Sequence, residues 1–351
     1  MSVRLGRHVW LLLLVPCLSV AIFAQSEEYN ITLLGTLSGG SAMVRGVNNS
    51  GCAVGRSGTE FNTGTLAFLW TAANQMQALP SPPISDFSEA VSINELNEVV
   101  GSANTQTHLR AVLWTRTGMA YDLGCLPGDS SARAISINKS GQVVGCSTGS
   151  AGCSAFLWTA RDGMKRLVPL LGGDFSEATA INNAGVIVGT SGLAHAEHRA
   201  VLWENPASVK ELGTLPGDNE SESHAINDLG HVVGASSGPS GIHAWIWTKR
   251  DGMSGLRSLD GGSFGQALAL NNLGQVVGIS STAENVSHAF VWTRNAGMRD
   301  LNDLIPVSSQ VLLVAALGIN DRGQIVAFGG DRETYDHDTP LSIYLLTPKH
   351  R

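Results

Sequence analysis

Short apolar runs closed by Asn or Gly alternate with polar turns along nearly the whole chain, and no window holds helical periodicity for three turns. The most regular motif is an apolar residue, Asn, two residues and then Gly, read at VNNSG, INELN, INKSG, INNAG, INDLG, LNNLG and INDRG. Its Asn falls at Asn48, Asn94, Asn138, Asn182, Asn227, Asn271 and Asn320, in steps of 46, 44, 44, 45, 44 and 49 residues. Strand-rich repeats of this length build propeller blades or stacked arrays, because one unit is too small to bury its own apolar face.

Each unit reads as four short strands. The first ends at the marker Asn, as in AISIN before Lys139, and Asn-x-x-Gly then makes a tight turn. Asn suits the start of that turn because its side chain bonds the backbone, and Gly suits the position where positive φ is needed. Asn97 replaces the Gly in the second unit, a change the left-handed region tolerates. The second strand is an apolar pair before Gly55, Gly101, Gly145, Gly189, Gly234 or Gly278. The third is AFLW or a close variant, placing Trp70, Trp114, Trp158, Trp203, Trp247 and Trp292 at one phase, where they are expected in the core. The fourth follows a turn such as RDGM.

The two ends of the chain complement each other. Residues 29–37 (YNITLLGTL) look like a fourth strand, since LGTL recurs at 212–215. The seventh unit has a first strand near Ile319, a second at 324–327 and a third at 342–346, and no fourth. An all-β fold follows, a seven-bladed β-propeller of four-stranded blades closed by the N-terminal strand, which leaves no long unpaired edge. A β-solenoid is the competing architecture, but it explains neither the spare strand nor the deficit.

Residues 1–24 read as a signal peptide, with Arg4 and Arg7, an apolar run over 9–23 and Ala24 before a cleavage site. Residues 25–351 are then a single repeat domain. Without Arg4 and Arg7, 20 basic residues face 29 acidic ones, for a net charge near −9. Such a surface repels a phosphate backbone, so nucleic acid is not an expected partner. No membrane span is expected in the mature chain, and a monomer is. Cys146 and Cys153, with six residues between them, flank one hairpin loop closely enough to pair in an oxidising compartment. Whether Cys52 and Cys125 meet is open.

The unit LGxL, Ala-x-x-Ile-Asn-x-x-Gly-x-Val-Val-Gly, His-Ala-Phe-x-Trp resembles the bacterial HAF-repeat family of extracellular repeat proteins. The name triplet stands literally at His288, Ala289 and Phe290, with a close variant at His243, Ala244 and Trp245, and the resemblance covers residues 29–348. It implies secretion and a β repeat scaffold, and it carries over no activity.

Candidate chemistry is sparse. The loops joining strands two and three and those joining one blade to the next share a face, and they hold Asp86, Asp129, Asp174 and Asp218, with Glu89 and Glu177 nearby. Carboxylates around a channel can bind a cation or polar ligand, whereas Gly-Asp and Asp-x-Ser sequences also simply cap turns. Asp331, Asp336, His337 and Asp338 form the densest acidic stretch, a weak Ca²⁺ candidate lacking the spacing of an EF-hand loop. His108, His198, His243 and His288 precede the third strand of four units, too far apart for one ion if the units are separate blades. GASSG around Ser236 matches G-x-S-x-G, but it extends the second strand and no helix follows. No catalytic residue and no cofactor is assigned. Two readings remain: a secreted scaffold that binds a protein, cell-surface polysaccharide or small ligand through its polar loop face, and a glycan-acting hydrolase or lyase with carboxylates near the axis.

Overall fold

The structure is a computed structural model, and it describes residues 28–38, 40–59, 64–80, 86–193, 197–335 and 341–349. Residues 1–24, expected to be a signal peptide, and Asp336, His337 and Asp338 lie outside these residues. Seven four-stranded antiparallel sheets make up the fold, and the described residues hold no α-helix. The inner strands of blades 1 to 7 are Ala42–Val47, Ser88–Ile93, Ser131–Ile137, Ser176–Ile181, Glu220–Ile226, Gly265–Leu270 and Val311–Ile319. They pack against one another in a closed circle around the axis. Each blade then runs outward through its second, third and fourth strands in chain order.

Blade 7 is the exception that closes the ring. Its inner three strands are Val311–Ile319, Ile325–Asp331 and Ser342–Pro348, and its outer strand is the N-terminal Tyr29–Leu33, pairing Tyr29 with Pro348 and Leu33 with Tyr344. The spare strand and the missing strand therefore meet. Arg299 adds a staple from blade 6, its guanidinium donating to both carboxylate oxygens of Glu28 at 3.1–3.2 Å. Burial and neighbouring Glu28 push the phenol of Tyr29, the buried first residue of the closing strand, up to about 12.

The apolar residues do not form one central core. They form seven clusters, one at each boundary between blades, with Val100 of blade 2 against Ala134 of blade 3, for example, and Val326 of blade 7 against Val44 of blade 1. Trp114, Trp203 and Trp245 are fully buried in these seams. The glycine ending the second-strand pair has a steric cause. The inner strand of each blade carries a bulge, as between Val44 and Gly46, and its carbonyl then occupies the space of a side chain. A Cβ on Gly55, Gly101, Gly189 or Gly234 would lie 1.9 Å from the facing oxygen of Met43, Glu89, Glu177 or Glu222.

Cys146 and Cys153 are joined across the second and third strands of blade 3, with S–S 2.02 Å and Cα–Cα 5.7 Å. Cys52 and Cys125 are free thiols.

The buried marker asparagines link the blades. Asn48 Nδ2 donates to the backbone oxygen of Asn94 at 3.1 Å, Asn94 to Asn138, Asn138 to Asn182, Asn182 to Asn227, Asn227 to Asn271, Asn271 to Asn320, and Asn320 back to Asn48 at 2.7 Å. Each Oδ1 meanwhile accepts two amides of its own turn, as Asn182 does from Ala184 and Val186.

Two outcomes are expected. Asn182→Ala leaves those two amides without partners and takes one of two bonds from the Asn227 carbonyl, and urea unfolding should show a loss of about 2–4 kcal/mol; Asn183→Ala, at the half-buried next position, should cost less, about 1 kcal/mol. Deleting residues 29–33 should abolish the single cooperative transition seen by circular dichroism, because it bares an edge of Ser342–Pro348 and breaks the circle.

Candidate functional site

The asparagine circle fixes seven turns on one face of the ring, and the residue after each marker is carried inward over the channel. These seven are Asn49, Glu95, Lys139, Asn183, Asp228, Asn272 and Asp321. With six of the markers, Asn48 excepted, and the apolar residues before all seven, they line a cup of about 310 Å³ on the axis. The turn glycines, or Asn97 in blade 2, hold φ between 60° and 82°, so all seven turns present this position alike.

The rim forms a second set of bonds between blades. The Asp228 carboxylate accepts the amide of Asn183 at 2.9 Å, its side chain at 2.9 Å and the side chain of Asn272 at 3.2 Å. Asp321 accepts the Asn272 amide at 2.8 Å and the side chains of Asn272 and Asn49 at 3.1 and 3.2 Å. Glu95 accepts the amide of Asn49, and Lys139 donates its backbone amide to Asn183. Burial pushes the Asp228 carboxyl up, but the bonds from Asn183 and Asn272 and the charge of Lys139 outweigh it, holding the group below its ordinary 3.8. The rim is therefore a positioned array of amides and ionised carboxylates.

Below the cup the channel narrows to a space of about 210 Å³ among Val91, Ile135, Thr179, His224 and Leu317. Ionisable residues sit toward the opposite mouth in pairs: Arg45 with Glu89 at 2.8 Å, Arg133 with Glu177 at 2.7 Å, and His224 with Glu222 at 3.7 Å.

Asp86, Asp129, Asp174 and Asp218 lie on that opposite face, each between a different pair of blades, and none lines the cup or the channel below it. Asp86 accepts from the Asn104 side chain, Asp129 from the Ser147 hydroxyl at 2.7 Å, and Asp218 meets His243 at 3.2 Å with its own side chain only 2% exposed. Asp174 is exposed. These are turn positions, and the structure does not bring them together. Asp331 accepts the amides of Glu333 and Thr334, which hold its carboxyl below 3.8. The histidines also go separate ways, His288 to Asp300 at 2.5 Å and His198 against the Phe175 ring. Among the described residues no group of three or more His, Cys, Asp or Glu side chains is arranged to hold a metal ion.

Ser236 is fully buried and accepts the amide of Leu215 at 3.1 Å, while Ser147, Ser191 and Ser280 do the same for Leu126, Leu170 and Leu259. It is a strap between a linker and a blade rather than a nucleophile. A further cavity of about 390 Å³ lies where the insert after blade 6 breaks the repeat, lined by Ser258, Asp260, Thr282, Arg299, Asp300 and Asp303. Its Asp300 is bonded to His288 and Asn302, and its Arg299 to Glu28.

The rim was absent from the sequence candidates. Its signal was the position after a recurring marker, polar in all seven units yet varying among Asn, Asp, Glu and Lys.

No family model and no curated protein matches the chain. Among solved structures it is similar to an oligogalacturonate lyase in complex with manganese, at 11% identity and TM-score 0.57 over 92% of this chain and 97% of that one. It is also similar to a catalytically inactive virginiamycin B lyase from Staphylococcus aureus with quinupristin, at 11% identity and TM-score 0.55 over 91% of this chain and 99% of that one. A third is the β-propeller domain of the Trilobed protease from Pyrococcus furiosus, at 11% identity and TM-score 0.53 over 76% and 83%, described as having an open velcro topology. At this identity the likeness is one of fold alone. No helix among the described residues is long and apolar enough to cross a membrane.

The depressed Asp228 carboxyl has a sign that can be tested. The unfolded group takes up a proton near 3.8 and the folded one only at lower pH, so its contribution is complete above 3.8 and is lost as pH falls through the folded value. The acid limb of the stability curve should therefore be shallower in Asp228→Asn than in the parent, and a carboxyl-carbon NMR titration should place Asp228 below 3.8.

Proposed function

We propose that the protein is an exported binding scaffold of the HAF-repeat type, and that it recognises its ligand at the cup on the asparagine-turn face. The observation that carries this is the rim itself. Seven backbone turns, locked to one another by buried asparagines, hold seven polar side chains of four kinds (Asn, Asp, Glu and Lys) around one concavity. Binding favours such an arrangement, because groups already fixed by neighbours lose little freedom when a ligand arrives. Export is supported by the apolar leader in the sequence and by the Cys146–Cys153 disulfide, a bond that persists in oxidising compartments.

The glycan-acting reading has less to stand on. Hydrolytic pairs of carboxylates need one group held protonated. On the axis the Asp228 carboxyl is held below its ordinary value rather than protonated, and toward the opposite mouth Glu89, Glu177 and Glu222 face Arg45, Arg133 and His224, the lowered carboxyl of Glu222, set chiefly by its bond to His224, running the same way.

Residues 25–351 should be probed on a glycan array and an immobilised peptide array beside Asn183→Trp, which fills the cup. Members of one array should bind the parent and not the variant, with the melting temperature changed by no more than about 4 °C. Equal binding by both proteins would remove the site from the axis.

A further inference from the structure

The tip of each asparagine turn, one residue beyond the rim, carries a second signal. In blades 5 and 6 the tips are Leu229 and Leu273, 65% and 69% exposed, and in blade 2 the tip is Leu96, 56% exposed. Leucines at this exposure contribute nothing to the blade seams, where the apolar clusters lie. The turns of blades 5 and 6 abut, since Asn272 of one donates to Asp228 of the other at 3.2 Å. The two exposed leucines are therefore on neighbouring turns, directly outside Asp228 and Asn272.

Charge is distributed unevenly over the same arc. The seven rim positions hold Glu95, Asp228 and Asp321 against Lys139 alone, a formal charge of −2. Lys139 belongs to blade 3, whereas Asp228 and Asp321 flank Asn272 across blades 5 to 7. Arg322 takes the tip position in blade 7 and does not line the cup. Blades 5 to 7 thus present carboxylates facing the axis and, on two adjacent turns, bare leucines outside them. The hydrogen bonds from Asn183 and Asn272 keep Asp228 ionised as it loses water to a partner.

From this juxtaposition, and resting on the cup as the recognition site, we infer that the partner is a peptide segment carrying a lysine or arginine beside apolar side chains. The cation enters the cup toward Asp228 and Asp321, and the neighbouring apolar residue covers Leu229 and Leu273. A glycan satisfies the amides and carboxylates but leaves both leucines in water. An acidic segment meets like charge, which acts against association.

The test uses the chain from residue 25 and three N-acetylated, C-amidated heptapeptides read by fluorescence anisotropy. One alternates leucine with lysine, the second has glutamate for lysine, and the third has serine for leucine. The leucine–lysine peptide should bind, more weakly as salt is raised, and each of the others should bind at least about tenfold more weakly. Leu229→Ser/Leu273→Ser, which leaves the rim bonds in place, should weaken the first peptide by about five- to tenfold with thermal unfolding unchanged, and Asp228→Asn, which alters the rim, should weaken it by a similar factor with the melting temperature lowered by no more than about 4 °C. Failure of the leucine–lysine peptide to bind, equal binding of the glutamate peptide, or unchanged affinity in the leucine variant overturns the inference. If that happens while an array hit is still lost in Asn183→Trp, the cup stands as the site and only the peptide assignment falls. Peptide binding that survives Asn183→Trp removes both.

Discussion

Everything in this ring depends on seven buried asparagine side chains. Each does three things at once: it closes its own turn through Oδ1, satisfies a buried carbonyl of the next blade through Nδ2, and places the following residue over the axis. In five blades Nδ2 also reaches a side chain, as Asn138 reaches Gln142 and Asn48 reaches Asn97 of the next blade. Aspartate would carry an uncompensated charge into this setting and serine has no second arm, so the marker is the most constrained position in the repeat. A circle of such bonds has no terminal unit, whereas an open array must cap its ends.

Closure by the N-terminal strand follows from the same economy. The apolar area is buried between blades, so one missing interface exposes two faces rather than one. Placing Tyr29–Leu33 outside Ser342–Pro348 makes that last interface a contact within one blade, secured by a ladder of backbone hydrogen bonds and by the Arg299–Glu28 pair. Structural constraint and chemical freedom are thus divided by position. The markers, second-strand glycines and third-strand tryptophans build the scaffold, while the rim and tip residues, one and two places along, vary between blades.

Charged groups on the two faces differ in character. At the opposite mouth, arginines neutralise glutamates and leave little free field. On the cup side one lysine faces three carboxylates, and those carboxylates are held by amides rather than by cations. A carboxylate bonded to amides stays charged and still attracts a cation, whereas one paired with arginine does not.

The sequence by itself determined the architecture. A beat of about 44 residues, a strand to spare at one end and a strand lacking at the other required a closed seven-fold ring, because backbone edges and apolar faces must both be covered. Asn97 at φ 60° and Cys146 beside Cys153 were equally legible, since turn geometry and hairpin reach are local. The site was not. Asp86, Asp129, Asp174 and Asp218 stood out by composition and the repeat set each beside a different blade, yet nothing local showed that none of them reaches the cup or the channel. Asn49, Asp228 and Asp321 gather at one rim although 93 or more residues separate each from the next. Only the curvature of the ring, which turns a sequence period into a circle, decided which of many polar residues share a surface.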